Sequence, residues 1–127
     1  MPRVFVFSAA ALVLFLVPGA HAHHPFAAEF DRDKPVIVTG TVKTFELVNP
    51  HSALQINGRD ATGRAGEWVI ELGGAQELTR GGWSKTSVKV GDTITVEGWM
   101  ARDGSRRVNA KRVKTSSGKR LNAGSSR

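Results

Sequence analysis

Apolar residues open the chain in one nearly unbroken run over residues 4–17. This run is shorter than the roughly 20 apolar residues that a bilayer-spanning helix needs. Arg3 precedes it, Pro18-Gly19 ends it, and Ala20-His21-Ala22 supplies the small residues that a signal peptidase requires before its cut. The pattern predicts a secretory signal peptide over residues 1–22, cleaved at its end, and an uncleaved anchor is the alternative.

Beyond this run, apolar and polar residues alternate with the period of two that is typical of half-buried strands. The longest such segment, residues 36–48, contains Gly40, which predicts a bend or bulge in a long first strand. Turn signals separate the later segments from one another. The sequence predicts further strands at residues 52–57, 67–72, 93–101 and 107–114, and a short helix at residues 75–80.

Three strands, a short helix and two strands form the element order of an OB-fold barrel. We therefore predict an all-β fold with one short helix, a five-stranded OB-like small barrel after a cleaved signal peptide. An open β-sandwich of similar strand count is the alternative. The barrel domain is predicted over residues 23–115, with an irregular lead-in over residues 23–35 and a flexible basic tail over residues 116–127.

The amino-acid composition and the motifs exclude several kinds of site. The chain has no cysteine, so disulfides, thiolate metal sites and cysteine nucleophiles are excluded. No G-x-S-x-G or P-loop motif occurs. Glu67 and Glu71 share one strand face and could pair as acid and base, but such residues are more often solvated. The sequence therefore predicts a protein that is not an enzyme.

Positive charge is concentrated toward the end of the chain, whose overall net charge is +7. Such a surface attracts polyanions, and an exported protein would meet phosphorylated lipids and acidic glycans rather than nucleic acid. A solvated strand face is the alternative. The candidate anion-binding residues are Arg106, Arg107, Lys111, Arg112 and Lys114.

The histidines lie in two places. Cleavage after Ala22 makes His23 the first residue, and its amine and ring nitrogen can bind one metal together. A second imidazole, from His24 or His51, completes a tetragonal nitrogen site of the kind that favours Cu(II) and then Ni(II). A cut after Ala20 would leave a copper-binding terminus as well. Zinc lacks an obvious third ligand, and an exposed, ligand-free chain end is the alternative.

Aromatic residues give a weaker signal. Trp68 and Trp83 are predicted to be core residues. Trp99 is the best candidate for an exposed aromatic, because the apolar residues of its strand, Ile94 and Val96, point to the other side.

Several segments resemble domain-of-unknown-function family 6152, a group of exported bacterial proteins. The most specific are His23-His24-Pro25-Phe26-Ala27 and Asn49-Pro50-His51, and Pro25 departs from the serine typical there. The resemblance implies a periplasmic or secreted, OB-like small barrel with no established activity, and it favours pairing His51 with the N-terminus. Further matching segments are Phe30-Asp31, Lys34-Pro35-Val36, Gly40-Thr41-Val42, Val90-Gly91-Asp92, Asp103-Gly104 and Gly118-Lys119.

Together these features predict a monomeric, exported module that binds a ligand rather than transforming one. The sharpest hypothesis is Cu(II) held by His23, His24 and His51. The alternatives are an anion- or glycan-binding barrel, and an accessory domain that binds a protein partner of the cell envelope.

Overall fold

The structure, a computed structural model, describes Pro2 and residues 25–124. The predicted signal peptide, His23 and His24 therefore lie outside the described residues, apart from Pro2. Neither helix of the described part is long and apolar enough to cross a membrane. The elements are α1 (Phe26–Glu29), β1 (Phe30–Glu46), β2 (Ala53–Asp60), β3 (Ala65–Glu71), α2 (Ala75–Arg80), β4 (Thr93–Ala101), β5 (Arg107–Lys114) and β6 (Arg120–Asn122).

Five of the strands close into a ring. β1 pairs with β2 and β4, β2 pairs with β3, and β4 pairs with β5, all antiparallel. β3 and β5 then pair in parallel, which joins the two ends of the sheet. This order confirms the predicted fold class, a mostly antiparallel, OB-like β structure with a short helix after the third strand.

The ring is filled by side chains from the inner faces of its strands. Alternation along β1 turns Val38 and Val42 inward, and neighbouring strands add residues such as Leu54, Ile70 and Val96, all of them buried. Between β3 and β4, α2 contributes Leu78, and Trp83 follows it into the same core. The Trp83 indole donates its hydrogen bond to the carbonyl of Asn122 at 2.8 Å, so this buried N–H has a partner.

Two predicted irregular segments contain strand structure, and the β2–β3 hairpin also has longer strands than predicted, since β2 continues to Asp60 and β3 begins at Ala65. β1 begins at Phe30, inside the predicted irregular lead-in, because buried Phe30 pairs with Ala101 of β4. The predicted flexible tail over residues 116–127 contains β6, in which Leu121 is only 4% exposed and pairs with Val113. A single apolar residue in a basic stretch has no periodicity, so the sequence pattern does not reveal this strand.

Gly40 has a different role from the predicted bend or bulge. The register of β1 against β2 shifts between Val42 and Thr44, beyond Gly40. Gly40 instead lies opposite Gly58, and a Cβ atom placed on Gly40 would lie 2.6 Å from the carbonyl oxygen of Asn57. The two glycines therefore allow the backbones of β1 and β2 to approach closely.

Gly40→Ala should lower the free energy of unfolding by about 2–3 kcal/mol, because the added methyl group meets backbone that cannot rotate away. Denaturant unfolding measures the change. Thr41→Ala, at the next and exposed position of the same strand, is the control and should stay within about 0.5 kcal/mol of the unsubstituted protein. Equal stability of the two variants would contradict the close approach.

Leu121→Ala should cost about 2–3 kcal/mol, because it removes a buried side chain that covers one end of the core. Asn122→Ala is its control, since that side chain is exposed and its carbonyl, which binds Trp83, is retained. The same unfolding measurement applies. A Leu121→Ala variant as stable as the control would show that the Leu121 side chain contributes no packing.

Candidate functional site

Of the three predicted metal ligands, the structure places His51. Its side chain is 48% exposed and lies in the loop between β1 and β2. His23 and His24 precede Pro25, the residue that begins the described chain and caps α1. The described parts of the predicted site are therefore His51 on one side and α1 on the other.

Backbone hydrogen bonds fix the position of His51 next to the end of β3. The amide of Ser52 donates to the carbonyl of Gly73 at 2.9 Å, and the amide of Leu72 donates to the carbonyl of Ser52 at 2.8 Å. The buried Ser52 hydroxyl also donates to the carbonyl of Val48 at 3.1 Å. This anchoring sets the His51 ring beside Glu71, the last residue of β3.

Glu71 is the centre of a cluster of polar side chains. Its Oε1 lies 3.9 Å from Nδ1 of His51 and accepts a 3.4 Å hydrogen bond from the Asn109 amide. Its Oε2 lies 3.9 Å from an Arg107 guanidinium nitrogen. Asn109 is directly opposite Glu71 in the parallel β3–β5 pairing, and Arg107 is two residues before it. Ring closure therefore assembles this cluster.

Burial raises the pKa of Glu71 above its ordinary value, because the carboxylate loses hydration. His51 opposes this rise in pKa, the negative charge of Glu29 adds to it, and Arg107 and the Asn109 hydrogen bond oppose it more weakly. The carboxyl group of Glu71 thus holds its proton more firmly in the folded protein than in the unfolded chain.

The N-terminal helix reaches the same cluster. Glu29, the last residue of α1, lies 3.9 Å from the guanidinium of Arg107, which is therefore between two carboxylates. Arg102 fixes the helix, since its side chain donates to the carbonyl of Ala27 at 2.6 Å and its amide donates to the carbonyl of Glu29 at 2.8 Å. Three successive contacts thus connect His51 with α1, which starts two residues after His24.

Within residues 25–124, no three histidine, cysteine or acidic side chains lie close enough together to hold a metal ion. His51 and Glu71 by themselves are an incomplete ligand set. The residues just before Pro25 would have to supply the remaining ligands.

The five predicted anion-binding residues are distributed over different surroundings. Arg106 donates to the carbonyl of Glu67 at 3.2 Å, Arg107 belongs to the Glu71 cluster, and Arg112 donates to Glu97 at 3.3 Å. Lys111 and Lys114 are exposed. The positive charges of residues 106–114 therefore do not form one continuous exposed surface.

A family model described as a family of unknown function, DUF6152, matches residues 11–110. The chain belongs to domain-of-unknown-function family 6152. This result confirms the resemblance noted in the sequence, and the match to family 6152 includes all three predicted metal ligands and Glu71. No curated protein and no solved structure matches the chain.

The acidic residues Glu29, Asp31 and Asp33 are candidates in the sequence for orienting an imidazole, but the sequence pattern does not indicate Asn109 as a site residue. Glu29 and Asn109 take part in the Glu71 cluster because of the position of α1 and long-range strand pairing. The sequence indicates Glu71 as a strand-face neighbour of Glu67, and the family resemblance includes it together with Trp68. The predicted registers of β3 and β5 would have been needed to place it beside Asn109.

Glu71→Gln should change stability in a pH-dependent way. A raised folded pKa means that the native state binds more protons than the unfolded state between the two pKa values, so this residue's contribution to stability falls as pH rises. The glutamine variant has no ionisable group at position 71, so it does not lose stability in this way as pH rises. Its stability relative to the unsubstituted protein should therefore be greater at pH 7 than at pH 4, as measured by urea unfolding at each pH.

Glu46→Gln, at an exposed position, measures the general effect of removing one negative charge. The difference in relative stability between pH 4 and pH 7 should be larger for Glu71→Gln than for this control. The same relative stability at both pH values, or a larger one at pH 4, would contradict the effect of burial on Glu71.

Proposed function

We propose that this member of family 6152 is an exported, monomeric binding module that holds Cu(II) at the processed N-terminus. His23 would bind through its amine and its imidazole, and His24 and His51 would supply further nitrogens. The observation that supports this most directly is the line of contacts from His51 through Glu71 and Arg107 to α1.

The orientation of His51 suits metal binding. Its Nδ1 lies 3.9 Å from a Glu71 carboxylate oxygen, and we assign metal binding to the other ring nitrogen, Nε2. A carboxylate behind a ligating imidazole fixes the ring and increases its basicity. Glu71 is held in turn by Asn109 and Arg107, so the support for His51 belongs to the rigid ring.

The proposal requires the N-terminal residues to reach His51 from the start of α1. The carbonyl of Pro25 accepts a 2.9 Å hydrogen bond from the amide of Ala28, so the start of α1 is fixed. His23 and His24 are attached directly to this point, and each residue extends the reach by about 3.5 Å. Pro25 has no amide hydrogen, so backbone nitrogens beyond His24 cannot join the metal site.

The donor set favours copper over harder cations. Imidazole and amine nitrogens in a tetragonal arrangement suit Cu(II), and the chain provides no thiolate that would favour other soft metals. Both donor types must lose a proton before they bind, so affinity should fall as pH decreases. Ionic strength should have little effect, in contrast to ion pairing on an exposed basic surface.

The protein exported with its own leader should begin at His23 and hold one Cu(II), as measured by native mass spectrometry with one equivalent of the metal. His51→Ala should release the copper under conditions in which the unsubstituted protein retains it. Glu71→Gln should weaken binding by about 10-fold or more, as expected when the group that orients a ligand is removed.

Gln55→Ala, a substitution on the neighbouring β2, is the matched control and should retain the metal. A mass that starts at another residue, or copper retention that does not depend on His51, would overturn the proposed site. Chemical acetylation of the terminal amine gives an independent test, because it should abolish binding without changing the fold.

A further inference from the structure

The outer face of β1 and β4 carries a groove of about 420 Å³, away from the Glu71 cluster. Its floor includes Ile37 of β1 and Trp99 of β4, and the end of the β2–β3 hairpin forms one wall. The hairpin is held there by a 3.2 Å hydrogen bond from the amide of Ala61 to the carbonyl of Ile37. The remaining lining residues are Pro35, Val36, Asp60, Thr62, Glu97, Gly98 and Lys111.

This groove places apolar side chains on a strand face that would ordinarily be polar. Ile37 is 48% exposed, although the inward face of β1 already fills the ring. Pro35 lies directly opposite Trp99, and Ile37 is opposite Glu97, so the apolar groups adjoin one another. An exposed isoleucine beside a half-buried tryptophan in a groove provides apolar contacts for an alkyl chain.

A smaller basic pocket, of about 40 Å³, lies next to the groove. Lys114 of β5 is directly opposite Arg120 of β6, an arrangement of like charges that is unfavourable without an anion between them. Arg112 also lines the pocket and is partly neutralised by Glu97. Glu97 lines both the groove and the pocket, so the two cavities are neighbours on β4.

We propose that this surface binds an anionic amphiphile, with an alkyl chain in the groove and a phosphate group at Lys114 and Arg120. Neither cavity alone defines the ligand class, but an apolar groove next to a basic pocket does. Trp99 in the groove and Thr95 in the basic pocket are four positions apart on β4, a span of about 13 Å for an extended strand. A ligand that fills both is elongated, apolar over most of its length and negative at one end.

Trp99 provides a direct probe of the groove. The chain contains three tryptophans, and the other two, Trp68 and Trp83, are 0% and 1% exposed in the core. A ligand in the groove should therefore change the emission of Trp99 alone. Titration with monomeric dodecyl phosphate should give a saturable change, and Trp99→Phe should remove it.

The charge requirement is tested with a double variant, Lys114→Gln with Arg120→Gln. Its affinity for dodecyl phosphate should fall at least about 10-fold, as expected when two charge-assisted contacts are lost. Lys85→Gln with Lys89→Gln removes two exposed cations elsewhere and should leave the affinity unchanged. Ile37→Ser should weaken binding of dodecyl phosphate and of neutral dodecyl maltoside alike.

Three outcomes would overturn the proposal. Inorganic phosphate that binds as tightly as dodecyl phosphate would mean that the site takes the free ion. Equal affinity for dodecyl maltoside would mean that the charge has no role. Adsorption to phosphatidylglycerol vesicles without binding of the monomeric amphiphile would mean a surface attraction rather than a groove. His51→Ala should not affect any of these results, so this test is independent of the proposed copper site.

Discussion

Three residue pairs between β3 and β5 close the ring, and both the closed core and the Glu71 cluster depend on them. The central pair, Ile70 with Val108, is fully buried and joins the two ends of the core. The outward pair, Glu71 with Asn109, starts the polar cluster. If β3 and β5 did not pair, β3 and residues 107–109 of β5 would be open sheet edges, and the core would lose one of its walls. The same closure therefore produces both the stability of the ring and the surroundings of His51.

The N-terminal helix is the second constraint, because it contacts both candidate sites. Phe26 packs edge-on against Trp99, with ring centres 5.5 Å apart, and Trp99 lines the groove. Three residues later, Glu29 faces Arg107 of the Glu71 cluster. The helix has only four residues and no buried side chain, so it has little stability of its own. Its position is set by these side-chain contacts and by Arg102.

Local signals were sufficient to predict part of this structure. The bounds of α2, β4 and β5 agree with the sequence pattern, because alternation and turn residues act within a few positions. Features that depend on distant partners were not predictable in this way. The sequence shows that Gly40 lies within a strand, but it does not reveal that Gly58 lies opposite it. The same is true of the candidate site. His51 can be identified from the sequence, whereas the contacts from Glu71 through Arg107 to Glu29 form only when β3 and β5 pair.

The size of the ring explains why ligand chemistry should be sought on its outer surface. In a small barrel the inward side chains fill the available space, and here Trp68 and Trp83 occupy the interior with aliphatic residues around them. The interior therefore cannot vary much without loss of stability, whereas outward positions are restricted only by strand pairing. Lys114 opposite Arg120, and Ile37 exposed beside Trp99, are arrangements that folding does not require. Ile37, Lys114 and Arg120 lie outside the buried core, which agrees with the role in binding proposed for this surface.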